Sequence, residues 1–343
     1  MRRTIQAAFL IVASLTQAAG AARAPLCYVG VNLPTAAFGE TSIPGTYGKD
    51  YVYPELSTID YFAEKGMNVL RLAVLWERLQ HDLGSELDND ELQRIDSVIE
   101  AAKAKGMRVI LDVHNYARYK GNVIGSNAVP PSALGDLWRR LAKRYKNDDA
   151  VILNIMNEPN GLPTETWLEA ANEATAGIRQ AGATNLILVP GNGWSSARDW
   201  TARSYGTPNS EVMLDFKDPA DNYAYDVHQY FDSDFTGTSA ECQSVDVVLS
   251  SLTPVTQWSR QHGKRLFLGE FGVGSSAACI DALDHIMRFL SDNEYVWLGW
   301  SYWAAGEWWP ADYFTSIQPA AAQERPQLSV LQKYLGTAPP TPD

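Results

Sequence analysis

The chain has 343 residues, of which 45% are hydrophobic and 20% are charged, a balance that is ordinary for a globular protein. A chain of this length predicts one to three domains and can bury a large core without disulfide or metal staples. The formal net charge of −12 argues against a surface that binds nucleic acid by neutralising phosphates.

Residues 1–24 have the three-part pattern of a secretory signal peptide. Arg2 and Arg3 give a positive start, residues 7–15 are mostly apolar, and small residues follow from 18 to 24. The apolar run is too short to span a bilayer as a stable helix, although a membrane anchor stays the alternative. We therefore expect a secreted protein, extracellular or periplasmic, with cleavage between Ala19 and Ala24 and no membrane contact afterwards.

Eight short apolar runs follow at a regular spacing, and each predicts a buried strand. The runs are 28–33, 68–74, 108–114, 151–156, 186–190, 225–229, 266–269 and 296–302. Helical patterns with charged outer faces lie between most of them, at 91–105, 131–145, 165–181, 244–262 and 278–293. This alternation predicts an α/β fold, a closed (β/α)8 TIM barrel, with an open doubly wound sheet as the alternative.

The barrel pattern forms a single predicted domain over residues 25–335. Residues 208–221 are polar and predict a long loop, and residues 336–343 form a tail rich in proline and threonine. Export permits disulfides. Cys242 and Cys279 flank one predicted strand, which favours a bridge between them and leaves Cys27 as the odd cysteine.

The sequence gives no indication of a metal or a cofactor. No two cysteines or histidines lie at the short spacing that zinc ligands require. A serine hydrolase would need a G-x-S-x-G elbow after a strand, and no convincing one is present. We therefore expect chemistry carried by side chains alone.

Polar side chains lie towards the carboxyl ends of the predicted strands, where the active sites of such barrels are found. They are Arg71 in the second strand; Asp112, His114, Asn115 and Tyr116 after the third; Asn157 and Glu158 after the fourth; His228 and Tyr230 after the sixth; Glu270 after the seventh; and Trp303 after the eighth. These groups are far apart in sequence, but a closed barrel would bring them to one mouth.

Glu158 and Glu270 carry the strongest functional signal. Each follows a hydrophobic strand, where an ionised side chain is costly unless it is paired or catalytic. Two facing carboxyl groups suit glycoside hydrolysis, in which one is protonated to assist the leaving oxygen and the other is ionised. Their environments must push the two pKa values apart. The alternative, that each is only a structural salt-bridge partner, does not explain the accompanying polar residues.

Two segments around these glutamates resemble a known family. Ile155-Met156-Asn157-Glu158-Pro159 and Leu268-Gly269-Glu270-Phe271-Gly272 are similar to the two signature segments of glycoside hydrolase family 5, in clan A. Asp112-Val113-His114-Asn115-Tyr116, His228-Gln229-Tyr230 and Trp303 extend the similarity over most of the predicted domain. The runs 115–118 and 239–242 resemble the cellulase branch, which contains fungal and bacterial endoglucanases.

The resemblance implies a role for each residue. Glu158 would be the acid/base and Glu270 the nucleophile of a retaining reaction, with carboxyl groups about 5 Å apart. Arg71 would keep the nucleophile ionised and Tyr230 would donate a hydrogen bond to it. Asn157 would bind the sugar 2-hydroxyl. The remaining supporting residues would hold or stack on sugar: His114, Asn115, Tyr116, His228 and Trp303.

Trp194 and Trp200 lie in the loop after the fifth strand, where either could stack on a neighbouring sugar or pack in the core. The expected function is that of a secreted, monomeric endo-β-1,4-glucanase acting on a polysaccharide. The alternatives are another endo-β-glycanase on the same scaffold, such as a mannanase, a mixed-linkage glucanase or a xyloglucanase, or a noncatalytic glycan-binding barrel. The loops that line the sugar sites decide between these polymers.

Overall fold

The computed structural model describes residues 26–319 and 323–336. Eight parallel strands close into a barrel in the order β1-β8-β7-β6-β5-β4-β3-β2. The strands are β1 Tyr28–Leu33, β2 Val69–Val74, β3 Arg108–Val113, β4 Val151–Asn154, β5 Ile187–Pro190, β6 Tyr223–His228, β7 Leu266–Glu270 and β8 Trp297–Tyr302. The predicted barrel is confirmed, and the open sheet is wrong because β1 pairs with both β2 and β8.

Helices connect the strands on the outside of the barrel. They are α1 Leu56–Glu64, α2 Trp76–Leu79, α3 Asn89–Ala104, α4 Pro131–Tyr145, α5 Thr164–Gln180, α6 Asn209–Val212, α7 Val245–His262, α8 Ala277–Asp292 and α9 Pro326–Leu331. The five predicted helices correspond to α3, α4, α5, α7 and α8. The prediction of a plain loop over 208–221 was wrong, because α6 and a 3-10 turn, Met213–Asp215, lie within it. These two short turns bury Val212 and Met213.

Alternate residues of each strand point into the barrel, because side chains of a strand alternate between its two faces. The lower layer of the interior is apolar and contains Val69, Ile110, Ile152, Ala224 and Phe267. The next inward positions towards the carboxyl ends are polar and fully buried: Arg71, Asp112, Asn154 and Asp226. The barrel is thus filled by a hydrophobic plug below and a charged layer above.

The outer core lies between the strands and the helices, and the close packing of α4 on α5 depends on two glycines. A Cβ atom built at Gly177 would lie 2.3 Å from the carbonyl oxygen of Gly135. A side chain there would push the two helices apart, because packed backbones cannot yield by that distance. This contact fixes the direction of α5, which follows the loop that carries Glu158.

Cys242 and Cys279 form a disulfide, as predicted, and Cys27 is free. The bridge connects the loop after β6 to the first turn of α8. Within residues 26–319 and 323–336, no helix has the length and hydropathy needed to cross a membrane. The predicted signal peptide, residues 1–24, and the predicted tail beyond residue 336 lie outside the described residues.

Candidate active site

Glu158 lies at the carboxyl end of the barrel, four residues after β4. The predicted strand over 151–156 is too long, because the strand ends at Asn154 and the chain then crosses towards β3. The amide of Asn157 donates to the carbonyl of Val113 at 2.7 Å, and this contact fixes the crossing. Glu158 itself has a backbone φ of 42°, a region that few non-glycine residues adopt. Such backbone strain is characteristic of functional sites.

Glu270 is the last residue of β7 and receives two hydrogen bonds that favour its ionised form. Arg71 donates to Oε1 at 2.7 Å, and the Tyr230 hydroxyl donates to Oε2 at 3.0 Å. Both partners were predicted to serve this carboxylate. With both oxygens engaged, Glu270 is held in one orientation facing the barrel mouth.

His228, at the end of β6, lies between the two carboxyl groups. Its Nδ1 is 2.8 Å from Oε1 of Glu158 and 3.6 Å from Oε2 of Glu270. One oxygen of each glutamate lies within 4.8 Å of the other and of His228. This spacing fits a retaining glycosidase, in which the two carboxyl groups are about 5–5.5 Å apart, and is too short for an inverting enzyme.

The surroundings shift the pKa values of the two glutamates in opposite directions. Burial raises the pKa of Glu158 above its ordinary value of 4.5, and this effect outweighs the hydrogen bond from His228. Burial would also raise the pKa of Glu270, but the charges of His228 and Arg71 bring it below 4.5. One carboxyl group is therefore set up to hold a proton and the other to lose it.

Arg71 lies in the middle of β2 and forms the floor of the site, below the barrel mouth. Its guanidinium group donates to Oδ1 of Asn157 at 2.9 Å as well as to Glu270, and it lies 3.2 Å from Oδ2 of Asp112. It also donates to the side-chain oxygens of Asn32 and Asn154. A fully buried cation needs this set of acceptors, because an unpaired charge in the interior is costly.

His114 and Trp303 form the wall opposite His228. The two rings stack at 15° with centroids 5.9 Å apart. Nδ1 of His114 is 2.7 Å from Asp112, and Nε2 faces the side-chain amide of Asn157 at 3.2 Å. The Tyr116 hydroxyl completes this side at 3.4 Å from Nε2 of His114. An aromatic wall of this kind suits the flat apolar face of a sugar ring.

A cavity of about 510 Å³ opens over the two glutamates. Trp194, which is 46% exposed, lies on its rim with backbone φ of 56° and its ring edge-on to Tyr205. Tyr116 lines this cavity and also a neighbouring one of about 760 Å³ beside His114. The carboxyl pair therefore lies within a longer groove, with space on both sides.

The spacing of Glu158, His228 and Glu270 is also one that a metal ion could use. A histidine ligand must offer an unprotonated nitrogen. Burial lowers the pKa of His228, but the carboxylates of Glu270, Asp226 and Glu158 raise it to about 10, so the ring keeps both protons near neutral pH. A metal ion at this position would first have to displace a proton from His228.

Comparison with known proteins agrees with this geometry. The sequence model of the family described as cellulase (glycosyl hydrolase family 5) matches residues 31–306. The chain belongs to glycosyl hydrolase family 5. As a family 5 protein it is a glycoside hydrolase, and the match includes every site residue from Arg71 to Trp303.

Named relatives of this family 5 chain are endoglucanases. Endo-β-1,4-glucanase B of Aspergillus niger is 36% identical over 310 residues, covering 90% of this chain and 90% of its own. An endo-β-1,4-glucanase of Xanthomonas axonopodis pv. citri is 45% identical, with a TM-score of 0.89 over 90% of this chain and 98% of its own. The structure of XacCel5A in complex with cellopentaose is 46% identical, with a TM-score of 0.89 over 90% and 99% of the two chains.

The structure brings the predicted residues of this family 5 site together, with one exception, Asn115. Both polar atoms of the Asn115 side chain are engaged by α2, since its amide donates to Glu77 at 2.7 Å and its oxygen accepts from the Trp76 amide at 2.7 Å. Its polar atoms hold α2 in place and are not free to bind sugar. Trp200 is fully buried and packs on Tyr225, so it is a core residue.

Sequence reasoning missed three buried residues under the site, Asn32, Asn154 and Asp226, and gave no role to Asp112. One signal could have found the two aspartates, because the tripeptide Asp-Val-His occurs twice, at 112–114 and at 226–228. In a strand, residues two apart share a face, so each aspartate points into the barrel below its histidine. No comparable signal marks Asn32 or Asn154.

Proposed function

We propose that this chain is a retaining endo-β-1,4-glucanase in which Glu158 is the acid/base and Glu270 the nucleophile. The observation that carries the proposal is a pair of carboxyl groups within 4.8 Å, with pKa values shifted in opposite directions, at the mouth of a barrel. The names of the relatives support β-1,4-glucan as the polymer.

In the first step, the carboxylate of Glu270 attacks the anomeric carbon while Glu158 gives its proton to the departing glycosidic oxygen. The hydrogen bonds from Arg71 and Tyr230 keep Glu270 ionised and aimed before the attack. Asn157 lies between Arg71 and His114, a position from which its side chain can reach the sugar 2-hydroxyl. The product is a covalent glycosyl-enzyme.

In the second step, a water molecule attacks the anomeric carbon and releases Glu270. Glu158, now a carboxylate, takes the proton from that water, and the enzyme returns to its starting state. His228 donates from Nδ1 to Glu158 at 2.8 Å and stabilises this carboxylate between the two steps. The same side chain thus serves as acid and then as base.

Attack within a polymer requires room for sugars on both sides of the cleaved bond. The cavities on either side of Tyr116 provide that room, and Trp303 and Trp194 offer aromatic faces along it. Aromatic rings take a glucan chain well, because each sugar presents an apolar face. This arrangement supports internal cleavage rather than release of units from a chain end.

Removal of the nucleophile is the direct test. Glu270→Ala should abolish release of reducing ends from carboxymethyl cellulose, a loss of at least about 10⁴-fold in kcat, because no covalent intermediate can form. The surface variant Glu100→Ala is the matched control and should keep full activity, since Glu100 is exposed and pairs with Lys103 on α3. Retention of hydrolysis by Glu270→Ala would contradict the assignment.

The polymer is tested by a side-by-side comparison. Carboxymethyl cellulose, mannan, lichenan and xyloglucan are supplied at equal mass, and new reducing ends are counted at early times. We expect carboxymethyl cellulose and lichenan to be cleaved, with a rapid fall in viscosity that marks internal cuts. Preferred cleavage of mannan or xyloglucan would assign the chain to another endo-β-glycanase class.

We infer secretion as a monomer without nucleic-acid or membrane partners. The pattern of residues 1–24 and the bridge between Cys242 and Cys279 support export, because disulfides persist in oxidising compartments. Fractionation of the producing cells, with mass measurement of the released protein, tests this. Activity that stays with the cytosol, or a protein that retains residues 1–24, would contradict it.

A further inference from the structure

Asp226 is a fully buried carboxylate that the catalytic scheme above leaves without a role. It occupies an inward position of β6, two residues before His228, in the charged layer under the site. Neither of its oxygens accepts a hydrogen bond from any residue in the described part of the chain. An aspartate in the core is expected to be hydrogen-bonded, so this one requires an explanation.

The nearest polar group to Asp226 is the ring of His228. Oδ2 lies 3.4 Å from Nε2, an ion-pair contact rather than a hydrogen bond. On its other side, the carboxylate packs against the backbone of β7, where a Cβ atom built at Gly269 would lie 2.0 Å from Oδ1. The absence of a side chain at residue 269 therefore makes the space that Asp226 occupies.

The first Asp-Val-His segment offers a comparison within the same molecule. Asp112 lies 2.7 Å from His114, but it also faces the Arg71 guanidinium at 3.2 Å, so its charge acts on a cation as well as on a ring. Asp226 has only His228 within ion-pair distance among the described residues. Its charge also raises the pKa of Arg71, from beyond ion-pair distance, so the ring of His228 is the nearest group on which it acts.

His228 has a carboxylate oxygen beside each ring nitrogen. Nδ1 faces Glu158 and Glu270, and Nε2 faces Asp226. A neutral imidazole has one nitrogen with a lone pair, and that lone pair would be aimed at a carboxylate. The arrangement is satisfied when both nitrogens carry a proton or when Glu158 shares its own proton with Nδ1.

We propose that Asp226 is a positioning residue that acts through His228, holding a proton on Nε2 so that the ring can donate from Nδ1 to Glu158. The proposal rests on the assignment of Glu158 as acid/base. Asp226 does not touch the substrate. It sets the charge of the ring that supports the acid/base in both halves of the reaction.

The protons balance without transfer to Asp226. Glu158 gives its proton to the glycosidic oxygen as the bond to the anomeric carbon breaks, and it then accepts a hydrogen bond from Nδ1–H of His228. When water attacks the glycosyl-enzyme, its proton returns to Glu158. His228 keeps the same two protons, and Asp226 stays ionised throughout.

The charges around His228 agree with this role. Glu158 faces the ring from the segment after β4, Glu270 from β7 and Asp226 from β6 itself. Arg71 on β2 lies behind Glu270, and His114, directly after β3, lies beside Asn157. Burial lowers the pKa of His228, but these three carboxylates raise it to about 10. Removal of one carboxylate should bring it closer to its ordinary value.

The first test needs no substrate. In the whole protein, the ring signals of the five histidines are followed by NMR against pH, and His228→Gln identifies the signal of His228. The ring should stay protonated past pH 8 in the unmodified protein, whereas in Asp226→Asn its titration midpoint should fall by about 1–3 pH units, the usual effect of one neighbouring charge. An unchanged midpoint, or a neutral ring at pH 7 in the unmodified protein, overturns the proposal.

The second test measures the alkaline limb of kcat/KM, which reports the first proton lost by the Glu158–His228 pair. Asp226→Asn removes a negative charge beside the pair, so the limb should move to lower pH by about 1 unit or more. Asp246→Asn, which removes the same charge from the exposed first turn of α7, should leave the profile unchanged. An even loss of activity at all pH values would indicate a merely structural role and overturn the proposal.

His228→Gln provides an independent variant if Asp226→Asn does not fold. Loss of the cation should move the alkaline limb to higher pH, because Glu158 then holds its proton more tightly. A limb that stays in place would show that the ring is uncharged and would overturn the proposal. If the unmodified protein cleaves no glycan, the proposed function fails. The NMR titration would still show whether Asp226 raises the pKa of His228.

Discussion

At the scale of single residues, the site depends on the partners of Glu270 more than on its own burial. Burial raises the pKa of this carboxyl group, and nearby cations and donors lower it below 4.5. The hydroxyl of Tyr230 is the donor that can be removed with the least change in shape, since phenylalanine keeps the ring. Arg71 cannot be removed as cleanly, because it also donates to Asn32, Asn154 and Asn157.

We predict that Tyr230→Phe lowers kcat/KM by about 10- to 100-fold, because a hydrogen bond to a charged group contributes about 1.5–3 kcal/mol. The acid limb of the pH profile should move up, since Glu270 loses a donor that favours its ionised form. Steady-state kinetics across the pH range measure both effects. Tyr145→Phe, which removes a hydroxyl bonded to Asp96 on the outer helices, is the control and should behave like the unmodified protein.

At the scale of elements, the loop after β5 separates two tryptophans that lie close in sequence. Trp194 is 46% exposed on the rim of the cavity, and Trp200 is 0% exposed. The loop folds over the ring of Trp200 at Gly191, where a Cβ atom would lie 2.6 Å from that ring. Sequence alone favoured Trp194 over Trp200 as a sugar contact, but it did not exclude either role for either residue.

We predict opposite effects for the two alanine variants of this loop. Trp200→Ala should lower the free energy of unfolding by about 3–5 kcal/mol, because a large buried side chain is removed. Trp194→Ala should change it by no more than about 0.5 kcal/mol but should raise KM for cellopentaose. Urea unfolding and oligosaccharide kinetics measure the two effects. Equal losses of stability would contradict the assignment of Trp194 as a sugar platform.

At the scale of the whole molecule, barrel closure makes one site from residues on different strands. Asn32 on β1 donates to the carbonyls of Gly269 on β7 and Ser301 on β8, which ties the seam of the barrel to the strand that carries Glu270. The charged layer lies above an apolar plug, so its groups interact strongly with one another. The pH dependence of the enzyme is therefore a property of the closed barrel.

We predict a bell-shaped pH dependence of kcat/KM. Activity is lost as pH falls through the pKa of Glu270, which lies below 4.5, and as pH rises through that of Glu158, which lies above 4.5. Glu158→Gln, assayed on an aryl cellobioside whose leaving group needs no proton, should lose the alkaline limb of the glycosylation step and keep the acid limb. If the acid limb disappeared instead, the two roles would be reversed.

The sequence by itself determined the barrel, the carboxyl pair and most of the polar ring around it. Strand periodicity and the polar residues at strand ends are local signals, and Glu270 and Tyr230 meet as the pattern predicts. The sequence patterns did not predict α1, α2 and α6, because these helices are too short or too mixed in polarity to show a periodic signal. Tertiary packing stabilises them where propensity does not.

Only the tertiary structure decided which polar and aromatic residues lie within reach of the two glutamates. Asn115 is held by Glu77 and the Trp76 amide, Trp200 is packed in the core, and Asp226 lies within ion-pair distance of His228. Each of these outcomes depends on contacts between strands and loops far apart in the chain. Charges interact more strongly the closer they lie in space, so the pKa values of the site residues are set only when the barrel closes and brings them together.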